Sequence, residues 1–209
     1  MKHLYIPFVW ELALIILTIF FPKQAFVLFL AFYLGLLIYF YFINKQFSFR
    51  KLNSYFCEVK TFWLPVLVTF AGLFAASKLK DYISQLYPNS YKENVWIIVP
   101  NNLIPTIIYA CMMIIMKPVA EELFYRKAII RFGDKKKMIL LTVASLLICA
   151  LSRAHGPVAI MQWILMSLPV TIAYIATKNI YIPIMAHVIF EFWDNTYEIV
   201  YSLGRIFFR

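Results

Sequence analysis

Long apolar runs separated by short polar stretches are the dominant pattern along the chain. A run of about 17 to 25 apolar residues can cross a bilayer as a helix. We therefore predict an all-α, polytopic membrane helix bundle of about seven transmembrane helices, within a range of about six to eight. We expect one membrane domain, built from an N-terminal three-helix part (residues 1–100) and a C-terminal four-helix core (residues 101–209). The candidate spans are residues 5–22, 25–44, 61–78, 103–132, 138–155, 157–177 and 182–203.

The polar stretches between the runs differ in character. Residues 45–60 mix basic and aromatic side chains, which fits either a segment at the membrane interface or a solvated connector. Residues 79–101 contain Pro88 and Pro100, which predict an irregular connection. The sequence RFGDKKK predicts a hairpin turn between two spans, with Gly133 as a helix C-cap.

The composition limits the classes of protein that fit. Of 209 residues, 63% are hydrophobic and 14% are charged, and the mean hydropathy is +0.77, which excludes a soluble domain with a polar shell. The net charge of +10 does not indicate nucleic acid as a partner, because the Lys and Arg residues lie at span ends and form no stripe on a polar face. Three cysteines at unrelated spacings argue against a disulfide framework or a zinc knuckle.

Charges at the span ends bear on orientation. With the N-terminus inside, nine Lys and Arg residues fall on the inner side and seven on the outer side, while four within the fourth span stay unassigned. This small excess favours the N-inside topology. The first run lacks a small-residue cleavage site before Lys23, so we expect a retained anchor and no cleaved signal peptide.

Ionisable side chains inside apolar runs are the candidates for function, because each one costs about 2.5 to 3.5 kcal/mol on insertion. Glu11 stands alone in the first run and fits either helix packing or snorkelling. His3 lies near the N-terminus, outside the main group. That group falls in the C-terminal half and comprises Glu121, Glu122, Arg126, His155, His187, Glu191 and Asp194.

Spacing divides the labour between the two adjacent glutamates. Glu122 and Arg126 are four residues apart and face each other on a helix, as an ion pair requires. Glu121 is turned away by roughly 100°. We therefore expect Glu121 to lack that partner and to be free to act on water.

Three of the candidate spans must converge for these residues to form one site. If residues 133–137 are the turn of a helical hairpin, Glu121 lies ~18 Å from the turn and His155 ~27 Å. Helix tilt, or a kink at Pro118, could close this difference in depth. In the last span, His187, Glu191 and Asp194 recur at i, i+4 and i+7 and predict one polar stripe on an apolar helix.

These residues resemble the motifs of the CPBP intramembrane proteases, also called the CAAX protease and bacteriocin-processing, or Abi, family. The family's first motif, two glutamates and an arginine after a proline, reads PVAEELFYR here, from Pro118 to Arg126. Its second, phenylalanine, three residues and histidine, reads LSRAH, with Leu151 in place of phenylalanine. Its third, histidine, three residues and asparagine or aspartate, reads HVIFE. The resemblance covers about half of the chain, from residue 100 to residue 197.

The resemblance implies a membrane-embedded endopeptidase. Glu121, helped by His155, would activate a water as general base. His187 and the side chain at position 191 would polarise the scissile carbonyl and stabilise the oxyanion. Glu122 and Arg126 would fix the motif helix. A divalent metal such as zinc is an open possibility, with Glu121, His155 and His187 as the candidate ligands, although no HExxH sequence is present.

The main departure from the family pattern is Glu191. An amide can donate a hydrogen bond to an oxyanion, whereas an ionised carboxylate only accepts one. Three interpretations stay open: a Glu191 protonated by burial, a Glu191 that orients His187, or a site that has lost activity. Asn195 is a possible substitute donor, farther along the helix. Leu151 is a packing change.

Three functions are compatible with the sequence. The first is an intramembrane protease acting on a peptide or a membrane-anchored substrate, in bacteriocin maturation, self-immunity or pheromone processing. The short, Lys-, Ile- and Phe-rich chain favours a bacterial cell membrane for it. The second is a non-catalytic immunity or scaffold protein that uses the same polar cavity, which Glu191 favours. The third is a transporter or proton relay, against which the small size and the absence of internal repeats count.

Overall fold

The computed structural model describes residues 5–208 and folds them into helices joined by short turns. Lys2, His3 and Arg209, which entered the sequence predictions, lie outside the described residues. The helices are α1 (Tyr5–Phe20), α2 (Pro22–Ile43), α3 (Phe49–Tyr55), α4 (Val59–Leu86), α5 (Leu103–Ala128), α6 (Lys135–Leu151), α7 (Pro157–Thr177) and α8 (Tyr181–Phe207).

The prediction of an all-α membrane bundle is confirmed. Each of the seven apolar runs forms one helix. Residues 5–208 contain no strand beyond an isolated bridge between Asn94 and Ala154. Within this range α2, α4, α5 and α7 are long and apolar enough to cross a membrane. The apolar helix α1 has only 16 residues, and α8 carries Glu191, Asp194 and Glu198 along its 27 residues.

Helix α5 lies at the centre of the bundle. It packs against α2 on one side and α8 on the other, and its C-terminal end contacts α6. Helix α4 packs along α7 and α8. The N-terminal helices therefore form part of the surroundings of α5, which carries the first motif. The division at residue 100 stays a prediction.

Buried Glu11 joins α1 to the motif helix. Its side chain accepts a hydrogen bond of 2.7 Å from the Tyr125 hydroxyl, which also lies 3.1 Å from Ser152 Oγ. Glu11 is only 1% exposed, so it does not snorkel to the membrane surface. Of the two interpretations of Glu11, helix packing is therefore the one that the structure supports.

The turn between α5 and α6 lies where the sequence places it, but its caps differ. Helix α5 ends at Ala128, so Gly133, with φ of 152°, lies within the turn and is not the C-cap. Asp134 caps α6, accepting a hydrogen bond of 3.0 Å from the Lys136 amide. An N-cap carboxylate satisfies one of the amides that a helix start leaves unpaired.

The connection from α4 to α5 is tied to the turn between α6 and α7. The Glu93 carbonyl accepts a hydrogen bond of 2.8 Å from the His155 amide, and its carboxylate accepts one of 3.1 Å from the Ala159 amide at the start of α7. The Arg153 carbonyl accepts a hydrogen bond of 2.8 Å from Val95. These bonds fix the conformation of residues 152–156, which include His155, the histidine of the second motif.

We expect Gly156→Ala to destabilise the protein by about 1 kcal/mol, the usual value of a helix N-cap. A Cβ at Gly156 would lie 2.0 Å from Glu93 Cδ and so displace the carboxylate that caps α7. Gly204→Ala is the matched control, because nothing lies within 4 Å of its Cβ position. Thermal unfolding in detergent measures both variants. A Gly156→Ala variant that unfolds at the same temperature as the wild type would contradict the capping role.

Candidate functional site

The motif helix changes its winding at the first motif. Lys117–Glu121 is α-helical, and wide π-helical turns precede and follow it at Met112–Met116 and Glu122–Ala128. Pro118 has no N–H to donate to the carbonyl four residues earlier, which favours a locally altered helix. Such turns often occur at functional sites because they reorient single side chains.

The ion pair that the spacing predicts is present. Arg126 Nε lies 3.3 Å from Glu122 Oε2, and both side chains are fully buried. Arg126 also donates hydrogen bonds to the Ser167 carbonyl at 3.2 Å and to Thr171 Oγ1 at 3.3 Å. The guanidinium therefore holds α5 against α7.

Glu121 does not pair with Arg126, as the spacing predicts, but the expectation that it is free is wrong. Its carboxylate forms an ion pair with Arg153 and accepts a hydrogen bond of 2.8 Å from the Tyr33 hydroxyl. Arg153 Nη2 in turn donates to the Tyr33 oxygen at 2.9 Å. An ionised carboxylate in a low-dielectric core needs a counter-charge. Here it comes from the turn after α6, beyond the reach of helical spacing arguments.

His187 bridges the first and third motifs. Its Nδ1 lies 2.9 Å from Glu122 Oε1, and its Nε2 lies 3.3 Å from Glu191 Oε1. A neutral imidazole can donate to only one of these carboxylates, whereas the protonated ring donates to both. Both carboxylates thus orient the ring.

Glu191 is surrounded by donors. Lys117 Nζ lies 2.6 Å from its Oε1, and Asn195 Nδ2 donates to its Oε2 at 2.9 Å. The nearby ammonium favours the ionised carboxylate over a form protonated by burial. Among the interpretations of Glu191, its orientation of His187 agrees with the distance between them.

Two candidates lie apart from the others. His155 is exposed, in the turn that Glu93 holds, and the same turn directs Arg153 inward. Partial burial lowers the pKa of His155 below its ordinary value. Asp194 is also exposed, because the buried side of α8 continues from Glu191 to Asn195. The expected convergence therefore includes Glu121 and His187 but does not include His155.

The charged side chains enclose one small cavity of about 30 Å³. Its volume is comparable to that of one water molecule in the liquid, which is about 30 Å³. It has no room for a peptide segment in this conformation. The polar side chains that line it are Lys117, Glu121, Arg126, Cys149, Arg153, Trp163, Ser167, His187 and Glu191.

Sequence reasoning did not assign Lys117, Arg153 and Tyr33 to the site. Lys117 carried a usable signal, because a lysine within an apolar run is costly unless it has a partner. In the sequence, Arg153 is one of the basic residues at a span end, and nothing there distinguishes it from the others. Tyr33 had no signal, since tyrosines are common in this chain and its partner is 88 residues away.

The candidate metal ligands do not fit a metal site. Across residues 5–208 no group of three or more His, Cys, Asp or Glu side chains is arranged to hold a metal ion. Glu121 is neutralised by Arg153, and both nitrogens of His187 face carboxylates. His155 is exposed, away from the cavity. The cations beside this donor set further disfavour a bound divalent metal.

One protein-family model matches part of the chain. Residues 102–193 match the family model described as type II CAAX prenyl endopeptidase Rce1-like. The match begins at the start of α5 and ends in α8, so it includes Glu121, Arg153, His187 and Glu191. The chain matches no curated protein and no solved structure in the comparisons.

We expect Lys117→Met to destabilise the protein by about 3 to 5 kcal/mol, because it leaves Glu191 as a buried charge without its cation. The double replacement Lys117→Met/Glu191→Leu should recover most of this loss. Lys78→Met is the control, since its ion pair with Asp81 is exposed and should contribute about 0 to 1 kcal/mol. Unfolding in detergent measures all three. A Lys117→Met variant as stable as the control would contradict the buried pair.

Proposed function

Residues 102–193 are Rce1-like, consistent with an intramembrane protease of the CPBP family, and from this premise we propose how the chain cleaves its substrate. The family indicates a protease of the CAAX type in an integral membrane protein. We propose that it hydrolyses a peptide bond in a peptide or a membrane-anchored protein, with a water activated in the cavity between α5, α7 and α8.

One observation carries the proposal. Glu121, His187 and Glu191 come from two separate motifs and line the same buried cavity, whose volume suits one water molecule. Cations line the same cavity, so negative charge that develops there meets a positive environment. The groups that we propose as general base and electrostatic stabilisers therefore lie around one point, as peptide hydrolysis requires.

In the proposed mechanism Glu121 is the general base. It takes a proton from water while the water oxygen bonds to the scissile carbonyl carbon. The proton then passes to the amide nitrogen as the C–N bond breaks, which yields a carboxyl group and an amine. Arg153 supplies the counter-charge of Glu121 in the low-dielectric core.

The oxyanion is stabilised by groups that Glu191 holds in place. Glu191 itself cannot donate a hydrogen bond when ionised. It positions Lys117 at 2.6 Å and His187 at 3.3 Å, and both can donate toward the developing charge. In this proposal Lys117 supplies the donor that an amide supplies in the family pattern.

A specific observation favours a second function, that of a non-catalytic membrane immunity or scaffold protein. Glu121, Glu122 and Glu191 all have cationic partners, and the cavity is too small for a peptide. A protease needs the helices around this cavity to separate when substrate enters. A scaffold protein can use the closed network as it is.

The physiological setting rests on the resemblance and the composition alone. We propose a bacterial cell membrane, with a role in bacteriocin maturation, self-immunity or pheromone processing. The peptide or membrane protein that is cleaved is then a product of the same cell or of a neighbour.

We expect Glu121→Gln to reduce cleavage of an internally quenched, farnesylated CAAX peptide at least about 100-fold, since a general base contributes 10² to 10⁴. Glu58→Gln should leave the rate unchanged, because Glu58 is exposed and lies far from Glu121 in the sequence. Cleavage by purified wild-type protein in detergent is the reference. If only Glu191→Asn cleaves the peptide and the wild type does not, the scaffold function is correct.

The two motif histidines should differ in importance. Because His187 lines the cavity and His155 is exposed, we expect His187→Ala to lower kcat by at least about 100-fold and His155→Ala by less than about 10-fold. The family resemblance alone predicts a large loss for both. Equal, large losses, with both variants folded, would show that His155 enters the site and that this cavity is not the whole site.

A further inference from the structure

Basic side chains gather at the end of the bundle that contains residues 44–58, the turn 129–134 and the turn 178–180. We call it the basic end. Chain order places ten Lys and Arg residues there, with only Glu58 and Asp134 as acidic residues in the described chain. The ten are Lys45, Arg50, Lys51, Lys60, Lys127, Arg131, Lys135, Lys136, Lys137 and Lys178.

A cavity of about 480 Å³ opens at this end, away from the candidate active site. Sites for small ligands have volumes of about 300 to 1,000 Å³. No acidic side chain contributes to its wall, whereas four lysines do. We call it the basic cavity, and its lining is Lys45, Gln46, Ser48, Lys51, Tyr55, Lys127, Tyr174, Thr177, Lys178, Asn179, Ile180 and Tyr181.

The four lysines of the basic cavity lack acidic partners within residues 5–208. Lys127 donates to the Gln46 carbonyl, and Lys178 Nζ lies 5.8 Å from the centre of the Phe132 ring. Four positive charges around one opening repel one another, and an anion would relieve this repulsion.

Two of these lysines have a left-handed backbone conformation, which is unfavourable for lysine. Lys45 has φ of 48° and Lys178 has φ of 53°, and they are the two non-glycine residues with positive φ in the described chain. Gly or Asn is the usual residue at such helix ends. Both positions instead carry a lysine that lines the same cavity.

An apolar groove of about 360 Å³ lies on the other side of the segment that borders the basic cavity. Along residues 46–49 the side chains alternate: Gln46 and Ser48 line the cavity, as Lys45 does, whereas Phe47 and Phe49 line the groove. Ser48 is extended, which places successive side chains on opposite sides. The groove's other walls are Leu37, Ile38, Tyr41, Phe42, Ile115, Val119 and Leu123.

We propose that this end of the bundle binds one anionic phospholipid, with its phosphate headgroup in the basic cavity and an acyl chain in the apolar groove. Charge complementarity selects the headgroup, and the adjoining groove distinguishes a lipid from a free phosphate. By the positive-inside rule the basic end is cytoplasmic, and anionic lipids are available in that leaflet. The site does not depend on the proposed protease activity.

Lipid binding to the purified, delipidated full-length protein tests the proposal. We expect dioleoylphosphatidylglycerol to bind at least about 10-fold more tightly than dioleoylphosphatidylcholine or glycerol 3-phosphate, as measured by native mass spectrometry. Lys51→Gln/Lys178→Asn should weaken phosphatidylglycerol binding by about 30-fold, since each lysine near an anionic lipid contributes about 1 kcal/mol. Lys51→Gln alone, at an exposed position, should weaken it by about 5-fold.

Lys135→Gln/Lys136→Gln is the matched control, because it removes two exposed charges from the same end but outside the cavity. We expect a change below about 2-fold for it. Thermal unfolding without lipid checks that each variant is folded. An equal loss in the control pair would show binding by diffuse charge and overturn the site. Glycerol 3-phosphate binding as tightly as the lipid would overturn the lipid as its occupant.

Discussion

Neutralisation of buried charge is the constraint on which the core of this protein depends. Three of the four buried glutamates, Glu121, Glu122 and Glu191, each have a cation within reach, whereas Glu11 bonds to the Tyr125 hydroxyl. Removing one member of such a pair leaves a charge that neither lipid nor protein can solvate. The arrangement of α5, α6 and α8 must therefore satisfy all three pairs at once.

Only one of these pairs is local to a helix. Glu122 and Arg126 pair within α5, whereas Glu121 reaches the turn after α6 and Glu191 on α8 reaches Lys117. The long-range pairs fix the register of the helices, because sliding one helix by a turn would move its charge by about 5.4 Å. Apolar packing alone gives little such specificity, since many registers bury similar side chains.

This difference explains what the sequence could predict. Helix periodicity and span length located the seven long helices and the Glu122–Arg126 pair, because both follow from local geometry. The partner of Glu121 could not be found in this way. It depends on the turn at residues 152–156, whose conformation is set by hydrogen bonds that Glu93, about 60 residues earlier in the chain, accepts. Arg153 faces inward there and His155 outward, which no spacing argument within LSRAH distinguishes.

The same logic applies to Lys117, for which the sequence did contain a signal. Because a lysine is costly in an apolar run, Lys117 must have an acidic partner. Only the tertiary structure shows which acidic residue of the three helices this partner is. Of the residues that the family resemblance indicates, Glu121, His187 and Glu191 line one cavity, whereas His155 does not. The resemblance could not assign Lys117 or Tyr33 a place there, because neither belongs to the motifs on which the resemblance rests.

The bond between Tyr181 and Ser48 has a mechanical consequence. The Tyr181 hydroxyl accepts a hydrogen bond of 3.0 Å from the Ser48 amide and lies 3.3 Å from the Ser48 carbonyl. Tyr181 begins α8, and His187 follows it by six residues, or about 9 Å along the helix axis. The segment of residues 45–49, which lies between the basic cavity and the apolar groove, is thus joined through helix α8 to the His187 side chain. Any displacement of Ser48 therefore acts on the first residue of the helix that carries His187.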